Sequence, residues 1–292
     1  LASRPTPIFA PAASPRLSPA MFNFAAVSQA VSQAAAHVVA DVNMIEAAAK
    51  TDTTNTVQKY YFVHRNTILG LPPGSRLPAY RDLADQGLLH GLDFDLFAAL
   101  NGEYRKTFAV LSHRWVLPGE PDPHGEQLED LQDVLKGDPQ IEYIWIDSSC
   151  MPQNTPGQPR SPEEDQYFGE ALQSVNMLYL TMEVIVLYDP DYATRFWCLL
   201  ESILAFSHPE RSGIVRIRHA AEKHSTVLER GQSFYSAFKE EWGTLPYQQQ
   251  IEALSSDEVK VTNKGDKAKQ IERLANLNGR IQALFAAGQI RF

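Results

Sequence analysis

Two periodicities take turns along this chain. Short apolar runs with β-branched or aromatic content predict strands over residues 57–63, 107–112, 141–147 and 184–187. Between and after them, apolar residues recur at helical spacing. Leu128, Leu131, Val134 and Leu135 predict a helix over 127–136, and further helices are predicted over 80–86 and 168–180. Past the last of these strands, 213–218 and 259–261 read as further strands. The stretches 220–230, 232–242, 247–254 and 267–287 read as helices, the last carrying Ile271, Leu274, Leu277, Ile281 and Leu284 on one face. Strands alternating with helices imply an α/β fold on a parallel sheet of about five strands, joined by crossover connections.

The N-terminal part reads differently. Residues 1–20 are rich in Pro, Ala and Ser and predict a flexible leader. No acidic residue precedes Asp41, which is mildly like an organelle transit segment; a plain leader on a cytoplasmic protein is the simpler expectation. Residues 22–50 are alanine-rich, with Phe24, Val27, Val31, Val38, Val42 and Ile45 spaced for an amphipathic helix. With the strand at 57–63 and a Pro/Gly loop at 71–80, residues 21–105 form a helix-and-strand extension leading into the main domain, 106–292. Two long polar loops interrupt that domain, at 113–126 and 151–165. Loops of that length in a compact domain are usually functional or disordered.

The most informative stretch is 183–206, EVIVLYDPDYATRFWCLLESILAF. Val184, Ile185, Val186 and Leu187 suit a strand buried on both faces. Asp189, Pro190 and Asp191 turn the chain, and Thr194 can cap a helix carrying Phe196, Leu199, Leu200, Ile203 and Phe206. Glu201 stands out on that helix. Its neighbours at helical spacing are Trp197, Cys198, Leu204 and Ala205, so no basic side chain pairs with it locally. A carboxylate in such surroundings is a candidate for an upward pKa shift; a solvated surface glutamate is the bland alternative.

The run DPDYATRFWCLLE resembles the third strand, loop and helix of Toll/interleukin-1 receptor (TIR)-like domains. There a Trp-Cys-Leu-x-Glu element carries the catalytic glutamate of the members that cleave NAD. By this resemblance Glu201 takes the catalytic position, with Trp197 and Cys198 as the Trp-Cys pair. VLSHRW at 110–115 and YIWIDSSCMPQ at 143–153 are similar to the fungal heterokaryon-incompatibility (HET) domain, a relative of TIR domains. His113 and Arg114 replace that family's tyrosine-cysteine pair, and no glycine directly follows Trp115. The resemblance covers residues 107–206. It implies a flavodoxin-like sheet of strand order 2-1-3-4-5, whose ligand crevice lies beyond the ends of the first and third strands. Those ends are Ser112 to Trp115 and Tyr188 to Tyr192. It also implies hydrolysis of NAD or a related nucleotide as substrate in defence or cell-death signalling, switched on by self-association or a TIR-like partner. Two other classes stand beside it: a non-enzymatic interaction module, and a nucleoside hydrolase or transferase.

Cleavage of the nicotinamide–ribose bond passes through an oxocarbenium-like state, and a carboxylate beside the anomeric carbon stabilises the developing charge. Glu201 is the candidate. Arg114 is the candidate grip for the pyrophosphate, with a structural ion pair as its alternative. Trp115 or Trp197 would stack on a substrate ring or pack in the core. Ser112, His113 and Tyr192 lie where substrate would bind. Asp147 and Ser149, at the end of the second strand, either cap the next segment or face the crevice.

Composition narrows the classes. A net charge of −9 argues against a dedicated nucleic-acid binder. Two cysteines, Cys150 and Cys198, exclude a disulfide scaffold and a four-cysteine zinc site, and no metal-ligand spacing links them to His113 or His124. No third residue is evident to orient a Cys150–His113 nucleophile pair. No glycine-rich phosphate fingerprint follows a predicted strand. No apolar run reaches the length of a membrane span. No cofactor is expected, NAD being the substrate.

Overall fold

The structure is a computed structural model that describes residues 57–155, 157–189, 191–216, 225–229 and 247–290. The predicted leader, the helices at 22–50 and 232–242, and the end of the strand at 213–218 lie outside these residues.

A mixed sheet, flanked by helices, organises the chain. Its strands are β1 (Val57–His64), β2 (Leu89–Asp95), β3 (Phe108–Ser112), β4 (Tyr143–Trp145) and β5 (Glu183–Tyr188), in the spatial order β2-β1-β4-β3-β5. A further strand, β8 (Ser225–Glu229), extends it by pairing parallel to β5. The pairs β4–β3 and β3–β5 are parallel, with Val110 opposite both Trp145 and Val184. β1 runs antiparallel to both β2 and β4. The sheet is therefore mixed and not all-parallel. The segment read as an extension supplies an antiparallel strand pair to the edge of the parallel strands, and its Tyr60, Phe62 and Phe94 belong to the core.

Burial explains the centre of this order. All six residues of β5 are buried between β3 and β8, as its continuous apolar run predicts. Each such aliphatic side chain contributes about 2 kcal/mol of hydrophobic stabilisation. The sequence pattern predicts no strand at β2, because His90 and Gly91 interrupt it. Its signal is the alternation of Leu92, Phe94 and Leu96 with Asp93 and Asp95.

Several helices are α1 (Arg65–Leu69), α2 (Tyr80–Asp85), α3 (Leu96–Leu100), α4 (Glu126–Gly137) and α5 (Asp147–Cys150). Then come α6 (Pro162–Ser174), α7 (Asn176–Thr181), α8 (Phe196–Ala205), α9 (Tyr247–Ser255) and α10 (Lys264–Ala286). The second long loop is shorter than predicted. Ser161 caps α6 in a reciprocal capping box with Glu164, Pro162 opens it, and Glu163, Glu164 and Asp165 fill its first turn, where the helix dipole favours them. The predicted helix at 168–180 is thus two helices, joined at Val175.

Three further expectations are corrected. Residues 225–229, read as helix, form β8; the sequence STVLE has the β-branched content of a strand, and parallel pairing with β5 outweighs helical periodicity there. β7 (Gly213–Arg216) pairs with β6 (Ser207–Glu210) in a separate two-stranded ribbon, outside the main sheet. Around Val259, the described residues form a single bridge, between Lys260 and Arg195.

The first long loop is pinned by Asp122. Its buried carboxylate accepts from the backbone N–H groups of Gln127 (3.1 Å), Leu128 (3.0 Å) and Leu77 (3.3 Å), tying the start of α4 to the 71–80 loop. Gly125 precedes α4 at φ 76°, and a Cβ there would meet the Ser75 carbonyl oxygen. Gly125→Ala is expected to cost about 2–4 kcal/mol, through strain at a left-handed position and a collision with backbone, read as a lowered urea midpoint.

Candidate functional site around Glu201

The chain passes from β3 to β4 on one side and returns to β5 on the other, so the order of the parallel strands reverses at β3. Carboxyl ends of strands at such a reversal are where α/β sheets hold ligands. Here those ends carry Ser112 and Tyr188, and α8 packs against both strands.

Glu201 projects from α8 to the end of β3. Its Oε2 accepts a hydrogen bond from Ser112 Oγ at 2.6 Å. Ser112 Oγ lies 2.5 Å from Tyr192 OH. Since the serine proton is committed to Glu201, the tyrosine donates to the serine, giving a chain Tyr192–Ser112–Glu201. Ser112 and Tyr192 are fully buried, while Glu201 keeps partial exposure. The Tyr179 hydroxyl of α7 lies between two acceptors, the Glu201 carboxyl and the Leu111 carbonyl at 3.3 Å.

Burial pushes the Glu201 carboxyl up to about 8; the nearby Asp147 charge adds to the rise, and the Ser112 hydrogen bond, the His113 charge and Tyr179 oppose it. The carboxyl is therefore mostly protonated at neutral pH, in the direction expected from a glutamate with no basic neighbour on its own helix.

A second cluster lies beside it. His113 is buried, with Nε2 3.0 Å from Asp147 Oδ1 and Nδ1 2.6 Å from Gln127 Oε1. The other Asp147 oxygen accepts from Trp115 Nε1 at 2.8 Å, and Oδ1 also accepts from Ser148 N at 2.6 Å. Asp147 thus both starts the short helix α5 and gathers His113 and Trp115, joining the alternatives the sequence left open. Burial alone would lower the His113 pKa; the hydrogen bond and charge of Asp147, then Gln127 and Glu201, outweigh it, and the net shift is upward.

Other predicted site residues make contacts within the fold. Arg114 is engaged by Asp189: Nε donates to both carboxylate oxygens, at 3.0 and 2.8 Å, and Nη2 lies 2.7 Å from Oδ2. Asp189 Oδ1 also accepts from the backbone N–H groups of Asp191 and Tyr192. The guanidinium holds the loop after β5, and hence Tyr192; this ion pair is the alternative to a pyrophosphate grip. Ser149 is buried and donates to the Pro78 carbonyl at 2.6 Å, away from the Glu201 cluster. Trp197 is half-buried against the core and Phe196. Thr194 does not cap α8; its hydroxyl donates to the Asp191 carbonyl at 2.7 Å.

Neither cysteine is a ready nucleophile. Burial pushes Cys150 up to about 12 and Cys198 well above the ordinary thiol range. Cys198 Sγ lies 3.7 Å from the His113 carbonyl, a contact that fastens α8 to the end of β3. Among the described residues no group of His, Cys, Asp and Glu is arranged to hold a metal ion. No described helix is long and apolar enough to cross a membrane.

Two participants escaped the sequence reading. Tyr179 read only as part of a helix, and Gln127 only as a helix start. No family model, curated protein or solved structure matches the chain.

Proposed function

We propose that this chain is a TIR/HET-like domain with a flavodoxin-like parallel core, and that it cleaves the nicotinamide–ribose bond of NAD or a related nucleotide. One observation carries the reading: a partly exposed carboxyl with a raised pKa, held by hydroxyl groups at the carboxyl ends of β3 and β5. Such a group suits a substrate that brings positive charge. The nicotinamide ring of NAD is cationic, and as the C1′–N bond breaks its electron pair goes to the ring nitrogen, moving the positive charge to the ribose. A substrate cation beside Glu201 favours the carboxylate, and that carboxylate then stabilises the oxocarbenium-like state. Water adds to C1′ and releases a proton to solvent or to Glu201.

Ser112 and Tyr192 fix the carboxyl rotamer, so the charge is placed before the bond breaks. The pyrophosphate grip is not assigned to Arg114, whose charge is balanced by Asp189.

The test is nicotinamide release from NAD by the purified chain, at low and high protein concentration, beside Glu201→Gln. Release by wild type and a loss of about 100-fold or more in the variant is expected; greater release per molecule at high concentration indicates activation by self-association. Equal release by both proteins, or none by wild type at any concentration, removes Glu201 from such a reaction.

A further inference from the structure

The His113 ring is enclosed by acceptors on both sides. Toward Nε2 stands Asp147 Oδ1, and toward Nδ1 stands the side-chain oxygen of Gln127. The orientation of the Gln127 amide is fixed independently: its Nε2 donates to the Arg114 carbonyl at 2.8 Å, which accepts only. Its oxygen must therefore face His113. A neutral imidazole has one N–H and one bare nitrogen, and a bare nitrogen facing either acceptor would leave two lone pairs opposed in a buried site. Only the doubly protonated ring satisfies both contacts.

We propose that His113 is a resident imidazolium, held in that state by Gln127 and Asp147, and that it is the positioning residue whose charge permits Glu201 to ionise beside Asp147. The charged groups around it come from each element packed there. Asp147 comes from α5, Glu201 from α8, and the Arg114–Asp189 pair lies between the ends of β3 and β5. With His113 positive, Asp147 and Glu201 present one net negative charge after Glu201 ionises. With His113 neutral they would present two, which like-charge repulsion opposes. The inference deepens the proposed NAD-cleaving reading, since a cationic substrate needs Glu201 ionised, but the protonation state of His113 stands on geometry alone.

Side-chain 15N NMR of histidine-labelled protein, with the His113 ring assigned through bonds from its own backbone, tests it directly. Both ring nitrogens are expected to report protonated nitrogen at pH 7. One bare nitrogen at pH 7 overturns the proposal in the wild-type protein, with no variant needed. A second arm reads the coupling. Gln127→Met removes the acceptor that fixes the proton on Nδ1, so the His113 titration is expected to fall by at least one pH unit. The Glu201 titration, followed by 13C NMR of labelled glutamate, is expected to rise. An unmoved Glu201 titration beside a lowered His113 overturns the positioning role. An imidazolium at pH 7 in a protein that releases no nicotinamide would leave the His113 assignment intact and count against the NAD reading alone.

Discussion

At pH 9 the Glu201→Gln protein is expected to be more stable than wild type by about 1–3 kcal/mol, while having lost nicotinamide release. The sign follows from linkage. The Glu201 carboxyl titrates near 8 in the folded chain, above the ordinary value of 4.5 that an unfolded chain restores. Between these values the native state holds a proton that the unfolded state has released, so wild-type stability falls as pH rises from about 4.5 to 8. Each unit of separation is worth about 1.4 kcal/mol, and the partial exposure of Glu201 reduces the total. Glutamine keeps an oxygen for the Ser112 hydroxyl and has no proton to lose, so the variant lacks this decline. Urea unfolding of both proteins at pH 5, 7 and 9 checks it: the stability difference should grow with pH. A constant difference would mean that Glu201 titrates normally and is not the poised group described above.

Asp147→Asn is expected to destabilise the protein most in acid, by about 2–4 kcal/mol at pH 5, and less once the pH has risen through the titration of His113. Asp147 serves three donors: His113 Nε2, Trp115 Nε1 and Ser148 N. An asparagine keeps one oxygen, which can serve Trp115, and turns its NH₂ toward His113 and Ser148. A neutral His113 tolerates this, because its bare Nε2 can accept from the amide. A protonated one does not. The folded-state pKa of His113 is raised in the wild type, so its ion pair contributes stability that is fully present below the unfolded value and lost as pH rises through the folded one. Removing Asp147 removes that contribution, and the deficit is therefore largest at low pH. Unfolding midpoints of Asp147→Asn against wild type from pH 5 to 9 report it, and a deficit that grows with pH would contradict the charge assignment.

Much of this site was legible before the fold was known, because its strongest signals are local. The apolar run of β5, the turn at Asp189 and the helix bearing an unpaired Glu201 are each set by neighbours within a few residues. Ser112 and Tyr192 were placed with Glu201 by topology, since the ends of β3 and β5 meet where the strand order reverses. What stayed hidden depends on long-range contacts. Gln127 lies 14 residues from His113, and Tyr179 reaches Leu111 across 68. Nothing in a helical pattern says which polar side chain will end beside a distant strand. Arg114 shows the opposite limit. Its residue type suits a phosphate, yet the aspartate at the end of β5 takes the guanidinium, a choice that only the register of β3 against β5 decides. The antiparallel pair of β1 and β2 likewise joins the sheet through β4, far along the chain.

If ionised Glu201 meets the charge developing on a ribosyl substrate, as proposed, the pH dependence of kcat/KM for nicotinamide release from NAD reports it. For wild type, kcat/KM is expected to rise about tenfold per pH unit from pH 6 and to level off above about 8, following the free-enzyme titration of Glu201. Glu201→Gln should show at most a small residual rate without that limb. A wild-type profile flat across this range, or the same rising limb in the glutamine variant, would contradict the account.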